Sequence, residues 1–168
     1  DTVSVPEAPT IKDSNQATPD VIESAPTAEE TISGPSEYEV MRTNSIAKKN
    51  RAIQTKLEKV ISYTKQTMVA YMSEEDLNRL CTYVAEYSSG DTLQKITPVK
   101  VDSQLKSIDI MHFGWNIGKA FSKKRIHTAT FIKNVFAHAL RDIEISTIER
   151  KMSHAESKCE INLDSKIA

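Results

Sequence analysis

Residues 103–121 read SQLKSIDIMHFGWNIGKAF, and apolar side chains recur along this stretch at helical intervals on two sides. One side carries Leu105, Ile108, Met111 and Trp115, and the other carries Ile110, Phe113, Ile117 and Phe121. A helix that is apolar on two sides is normally buried between other elements. We therefore predict a central helix that starts after a cap at Asp102 or Ser103 and ends at about Phe121, with the rest of the domain packed around it.

Gly114 and Gly118 lie four residues apart on this predicted helix, which places them on one side of it. A glycine inside a helix costs about 1 kcal/mol relative to alanine. Two glycines at this spacing let another backbone approach the helix closely, although in a soluble protein the spacing usually reflects packing alone.

Two further helices are predicted before the central one. Apolar residues at intervals of three, four and seven predict a long amphipathic helix over residues 45–71. Ser73 and Asp76 form a cap-like pair that opens a second helix, and the polar run at 88–91 ends it. An alternating, β-branched stretch over 92–102 predicts one short strand or an extended connection.

Helical spacing resumes after a basic turn. It predicts a helix from about Thr128 to Asp142, and Ser146 then opens a short helix through Met152. Alternation between Cys159 and Leu163 predicts a short edge strand. The predicted fold class is therefore mainly α, a compact helical domain of about five helices with at most one or two short strands.

The charge of the chain is divided between two unlike segments. Residues 1–40 contain nine acids and one base, a net charge of −8, and five of the six prolines. Residues 41–168 contain 21 bases and 14 acids, a net charge of +7. This composition predicts a disordered, acidic, Pro/Ser/Thr-rich N-terminal arm or linker over 1–40 and a basic, mostly helical domain over 41–168. Such asymmetry favours an anionic partner, for whose binding surface the arm would compete.

Cysteine usage and hydropathy limit the class of protein. The two cysteines, Cys81 and Cys159, are far apart and suggest neither a disulfide framework nor a zinc site. No apolar run reaches the roughly 18 residues of a membrane span, and no secretory signal is evident. We expect a soluble, cytoplasmic protein that does not interact with membranes. Because the first residue is Asp1, we expect a processed product or a segment of a longer chain.

Residue patterns for catalysis and cofactors are weak. With four glycines in all, the chain has no phosphate-binding loop, and no two of its four histidines are spaced as a local metal motif. His138 and Asp142 are one helical turn apart, as in an acid/base pair, but no nucleophile accompanies them. We expect a protein that is not an enzyme and has no cofactor or metal.

The strongest functional pattern is a basic cluster at the turn between the third and fourth predicted helices. Two consecutive helices with cations at their junction are typical of a helix-turn-helix that binds DNA or RNA. Lys123, Lys124 and Arg125 would contact phosphates, and the following helix would reach into a groove. The predicted nucleic-acid-binding residues are Lys119, Lys123, Lys124, Arg125, His127, Thr128, Thr130 and Lys133.

The long first helix supports an alternative function. Its apolar stripe continues over about seven turns, and it carries Lys48, Lys49, Arg51, Lys56, Lys59 and Lys65. Such a helix serves for self-association or for docking to a protein partner. The alternative is therefore a protein interaction or structural adaptor domain that uses helix 45–71.

Overall fold

The structure is a computed structural model of the chain, and it describes residues 33–90, 93 and 95–168. It contains five helices within these residues: α1 (Glu37–Met68), α2 (Glu74–Ser89), α3 (Ser107–Ala120), α4 (Arg125–Val135) and α5 (Ile145–Lys151). The described residues include no strand, so the mainly helical fold class is confirmed. The predicted disordered arm lies outside the described residues over positions 1–32.

Helix α1 begins eight residues earlier than predicted and ends three residues earlier. Its first turn is closed by a capping box, in which Ser36 accepts a hydrogen bond from the Glu39 amide and the Glu39 carboxylate accepts one from the Ser36 amide. This box satisfies two amides that a helix start leaves unpaired. The last residues of the segment assigned to the arm, from position 37 onward, are therefore helical.

The core is built around α3, as predicted. Phe113 and Ile117 of α3 are fully buried, together with Leu80 of α2 and Ile132 of α4. The rings of Tyr63 on α1 and Phe113 stack with centroids 5.9 Å apart. Helix α3 thus contacts α1 on one side and α4 on another, which explains why its sequence is apolar on two sides.

Helix α4 is shorter than predicted, and the edge strand predicted over 159–163 is absent. The described residues of 92–102, the stretch with a predicted short strand or extended connection, contain no strand. The helix spans 125–135, and residues 136–142 form turns although Phe136 and Leu140 remain buried. Helical spacing alone does not distinguish these consecutive turns from helix. Residues 95–102 make single backbone bonds to helix ends, such as the Val99 amide to the Val135 carbonyl at 2.9 Å, and not to another strand.

Buried polar side chains of α3 hold the irregular C-terminal segment. The Asp109 carboxylate accepts hydrogen bonds from the amides of Glu160 and Ile161, and the two ring nitrogens of His112 lie 2.7 and 2.6 Å from the carbonyl oxygens of Ile161 and His154. Asn116 binds the backbone of residues 162 and 164. Side chains of α3 therefore satisfy the tail's backbone groups, which is why residues 159–163 need no partner strand.

No helix within the described residues has the length and apolar character needed to cross a membrane. Cys81 and Cys159 are both free.

Candidate nucleic-acid interface

The predicted site lies where α3 meets α4, and two glycines allow the helices to approach closely. A Cβ atom at Gly114 would lie 2.6 Å from Cγ2 of Ile132, and one at Gly118 would lie 2.5 Å from Oγ1 of Thr128. Both distances are shorter than carbon contacts tolerate. Side chains of α4 therefore occupy the space beside both glycines, and the connection between the two helices, residues 121–124, is short.

Three lysines of the junction keep their charged groups at the surface. Lys119 is exposed with its ammonium 5.4 Å from the centroid of the Trp115 ring, and Lys123 places its ammonium 5.3 Å from the Tyr87 ring. Lys124, the residue before α4, is exposed. Cation–π contacts orient the Lys119 and Lys123 side chains without neutralising their charge.

Two other predicted cations are used within the domain. The Arg125 guanidinium donates to the Ser153 hydroxyl at 3.0 Å and to the carbonyls of Glu149 and Arg150 near the end of α5. The Lys133 ammonium donates to the carbonyls of Leu140, Arg141 and Ile143 at 2.6, 3.1 and 2.7 Å. An ammonium has three donors, so Lys133 has none left for a ligand.

Thr128 is also part of the interior. Its side chain is buried, and its hydroxyl donates to the Lys124 carbonyl at 3.2 Å and lies 2.7 Å from the Tyr87 hydroxyl. In the bond between Thr128 and Tyr87 either hydroxyl can donate. Thr128 therefore joins α4 to α2 and does not reach a groove of a bound nucleic acid.

Burial of Tyr87 predicts a pH effect on stability. Burial raises the pKa of Tyr87 to about 12 from an ordinary value of 10.0, and the bond to Thr128 opposes this rise. Between pH 10 and 12 the unfolded chain loses the tyrosine proton while the folded chain retains it, so stability falls with pH in this window and is unaffected below it. We expect the free energy of unfolding to fall less between pH 9 and 11 in Tyr87→Phe than in the wild type, as measured by urea denaturation at each pH. Parallel pH profiles would contradict this assignment.

The exposed side of α4 borders a surface cavity of about 340 Å³. His127, Thr130 and Asn134 line this cavity together with Lys123. Its apolar wall includes Tyr87 and Phe131, whose rings stack with centroids 4.3 Å apart. The structure thus brings together Lys123, His127 and Thr130 of the predicted site and adds Asn134.

A second group of bases lies at the same end of the domain. Residues 69–73 join α1 and α2 into an antiparallel hairpin. The C-terminal end of α2, which contacts Lys123, therefore lies beside the middle of α1. Five of the seven bases of α1 lie there and further outward, and all five are exposed: Lys48, Lys49, Arg51, Lys56 and Lys59. Within the described residues, ion pairs involve only Arg79 and Arg141 with neighbouring acids. Neither basic group is therefore neutralised by a described carboxylate.

The other candidate residues do not form a described catalytic or metal site. His138 and Asp142 lie on turns and are exposed, so the one-turn helical spacing assumed for them is wrong, and the Asp142 carboxylate lies 3.8 Å from Nε of Arg141. Among residues 33–90, 93 and 95–168, no three His, Cys, Asp or Glu side chains are grouped to hold a metal ion.

Comparisons with protein-family models, with curated proteins and with solved structures find no match. The function is therefore inferred from the geometry of this chain.

Proposed function

We propose that this chain is a non-enzymatic module that binds nucleic acid at the end of the domain where α3 meets α4. The proposal is supported most directly by the position of Lys119, Lys123 and Lys124. Their ammonium groups lie at the surface, and no carboxylate of the described residues forms an ion pair with them. Phosphate contacts from lysines supply most of the affinity in sequence-independent binding. Residues 41–168 carry a net charge of +7, which favours association with a polyanion.

The proposed interface is smaller than the sequence predicted at the junction. Arg125, Thr128 and Lys133 are left out of it because their polar groups bind within the domain. In the helix-turn-helix arrangement proposed here, the junction lysines contact phosphates, and His127 and Thr130 on the exposed side of α4 face the bases or sugars.

Helix α1 extends the proposed phosphate-binding surface. Lys48, Arg51, Lys56 and Lys59 line one shallow groove along α1, together with Ala168. Lys48 and Lys59 are separated by 11 residues, or about 16 Å of helix. That length matches several successive phosphates of one strand, given about 3.4 Å of axis per nucleotide in a duplex strand.

The decisive experiment is a salt titration of the full chain with a mixed-sequence 20-base-pair DNA and an RNA of equal length. We expect Lys119→Gln/Lys123→Gln/Lys124→Gln to bind about tenfold more weakly near 50 mM salt. Its slope of log K against log salt should be shallower by roughly 0.9 for each phosphate of duplex DNA that the variant no longer binds.

A matched variant removes the same charge elsewhere. Lys100, Lys106 and Lys158 are exposed, and Lys106 precedes the opposite end of α3. We expect their triple change to Gln to leave the salt slope unchanged. Equal losses of affinity in the two triple variants would show that binding depends on net charge alone, and a wild-type chain that binds neither nucleic acid at 50 mM salt would refute the proposal.

Protein interaction through α1 is a second candidate function, and the exposure of apolar side chains on this helix favours it. Met41, Ile46 and Ile53 are 64%, 48% and 66% exposed. Large apolar side chains aligned on one exposed helix are typical of a partner-binding surface.

A further inference from the structure

The N-terminal half of α1 extends beyond the helix that covers its C-terminal half. Helix α2 has 16 residues, which is the length of residues 53–68 of α1. All residues from 37 to 56 are exposed, whereas Val60, Thr64 and Met68 are buried. The part before Ile53 projects by roughly 24 Å at 1.5 Å per residue. A helix segment of this length gains little stability in water without a partner.

Two exposed apolar side chains of α1, Ile46 and Ile53, continue the seven-residue spacing of the buried Val60, as in a coiled coil. Ile46, Ile53 and Val60 are spaced by seven, and Leu57 lies four residues after Ile53. We call these four residues the heptad stripe. Val60, the last of them, is fully buried against the rest of the domain. The side of α1 that packs within the domain therefore continues outward as a stripe with no described partner.

Charges beside the heptad stripe exclude a second copy of this chain as the favoured partner. Arg42, Lys49 and Lys56 also repeat every seven residues along one flank, and Ala47 and Gln54 occupy the other. In a parallel pair of identical helices the bases would face Ala47 and Gln54, and in an antiparallel pair they would face one another. Neither arrangement supplies a carboxylate, and the second brings like charges together.

We propose that the projecting half of α1 pairs with an amphipathic helix of another protein that carries Glu or Asp at the positions flanking its apolar stripe. This inference rests on the protein-interaction function proposed above, and Lys49 and Lys56 also belong to the basic group of α1 described with the nucleic-acid interface. The acidic flanks complement Arg42, Lys49 and Lys56, and the partner's apolar stripe covers Ile46 and Ile53. Asn50 lies within the stripe, where one polar residue sets the register of the pair.

The test uses the full chain and designed three-heptad peptides with Ile and Leu along the stripe and one Asn opposite Asn50. One peptide has Glu at the flanking positions, and its control has Lys there. We expect the glutamate peptide to bind at least about tenfold more tightly in 150 mM salt by fluorescence anisotropy, a difference of about 1.4 kcal/mol. Changing Arg42, Lys49 and Lys56 to Glu should reverse the preference between the two peptides.

Variants of the two sides of α1 separate this inference from nucleic-acid binding. We expect Ile46→Ser/Ile53→Ser to weaken binding of the glutamate peptide at least tenfold and to leave the affinity for DNA unchanged. Lys48→Gln/Arg51→Gln, on the other side of the helix, should change peptide binding less than twofold. Both pairs of residues are exposed, so the melting temperature should be unaffected.

Three results would overturn the inference. The first is that the glutamate and lysine peptides bind equally well. The second is that Ile46→Ser/Ile53→Ser binds the glutamate peptide as tightly as the wild type does. The third is that the wild type forms a dimer in sedimentation equilibrium and the double variant does not. The last result would assign the heptad stripe to a second copy of the chain. Failure of peptide binding while DNA binding persists would leave the nucleic-acid function standing.

Discussion

Asp109→Asn is expected to lower the free energy of unfolding by about 2–4 kcal/mol, because this residue accepts three backbone hydrogen bonds in the interior. Its carboxylate is fully buried and accepts from the amides of Lys106, Glu160 and Ile161 at 2.9, 2.7 and 3.1 Å. An asparagine has the same shape, but one of its two positions is an amide nitrogen, which cannot accept. At least one buried backbone amide then loses its partner, and the remaining bonds lose their charge.

Urea denaturation of the variant measures this effect, and Asp102→Asn is its matched control. Asp102 is exposed and accepts one bond from the Gln104 amide at 2.8 Å. An asparagine oxygen can accept that bond equally well, so we expect a change within about 0.5 kcal/mol. Amide exchange adds a local readout: the amides of Glu160 and Ile161 should exchange faster in Asp109→Asn. A variant as stable as Asp102→Asn, with unchanged exchange at both amides, would show that the carboxylate does not anchor the tail.

Gly114→Ala/Gly118→Ala is expected to destabilise the domain by about 1–4 kcal/mol through the contact between α3 and α4. Each new methyl group would overlap a side chain of α4, Ile132 in one case and Thr128 in the other. Overpacking costs about 1–3 kcal/mol at each site. The better helix propensity of alanine returns up to about 1 kcal/mol per site, so the net effect remains destabilising.

A double-mutant cycle tests whether the clash causes the destabilisation. Ile132→Ala removes the two atoms nearest to the new methyl group, Cγ2 and Cδ1. We therefore expect Gly114→Ala to cost less in the Ile132→Ala background than in the wild type, as measured by urea denaturation. Gly34→Ala is the control, since nothing lies within 4 Å of the added atom there. Equal costs of Gly114→Ala in both backgrounds would locate the strain elsewhere.

The candidate site shows how far local spacing can predict function. The cluster of bases at the junction follows from the sequence, and in the structure Lys119 and Lys124 are exposed there and Lys123 is half-buried. The sequence does not distinguish these lysines from Lys133, which has the same residue type and lies on the same helix as the predicted site. Three backbone carbonyls of the following turns bind the Lys133 ammonium, and those turns form only because α4 ends at Val135.

The sequence by itself determined the number and order of the helices, although not all of their ends, because periodicity and capping are local properties of the chain. It determined that α3 is central, that Ser73 starts α2, and that Gly114 and Gly118 lie at a packed contact with another element. These features depend on residues a few positions apart, whose geometry in a helix is constant.

Only the tertiary structure decided which polar groups remain available for a partner. Arg125 binds carbonyls at positions 149 and 150, and Thr128 meets Tyr87, 41 residues away. Hydrogen bonds across such separations depend on how the helices pack, and no local spacing encodes them. The same packing leaves the first half of α1 uncovered, because α2 is only half as long as α1. The end of α2 therefore determines where the buried stripe becomes a surface for another molecule.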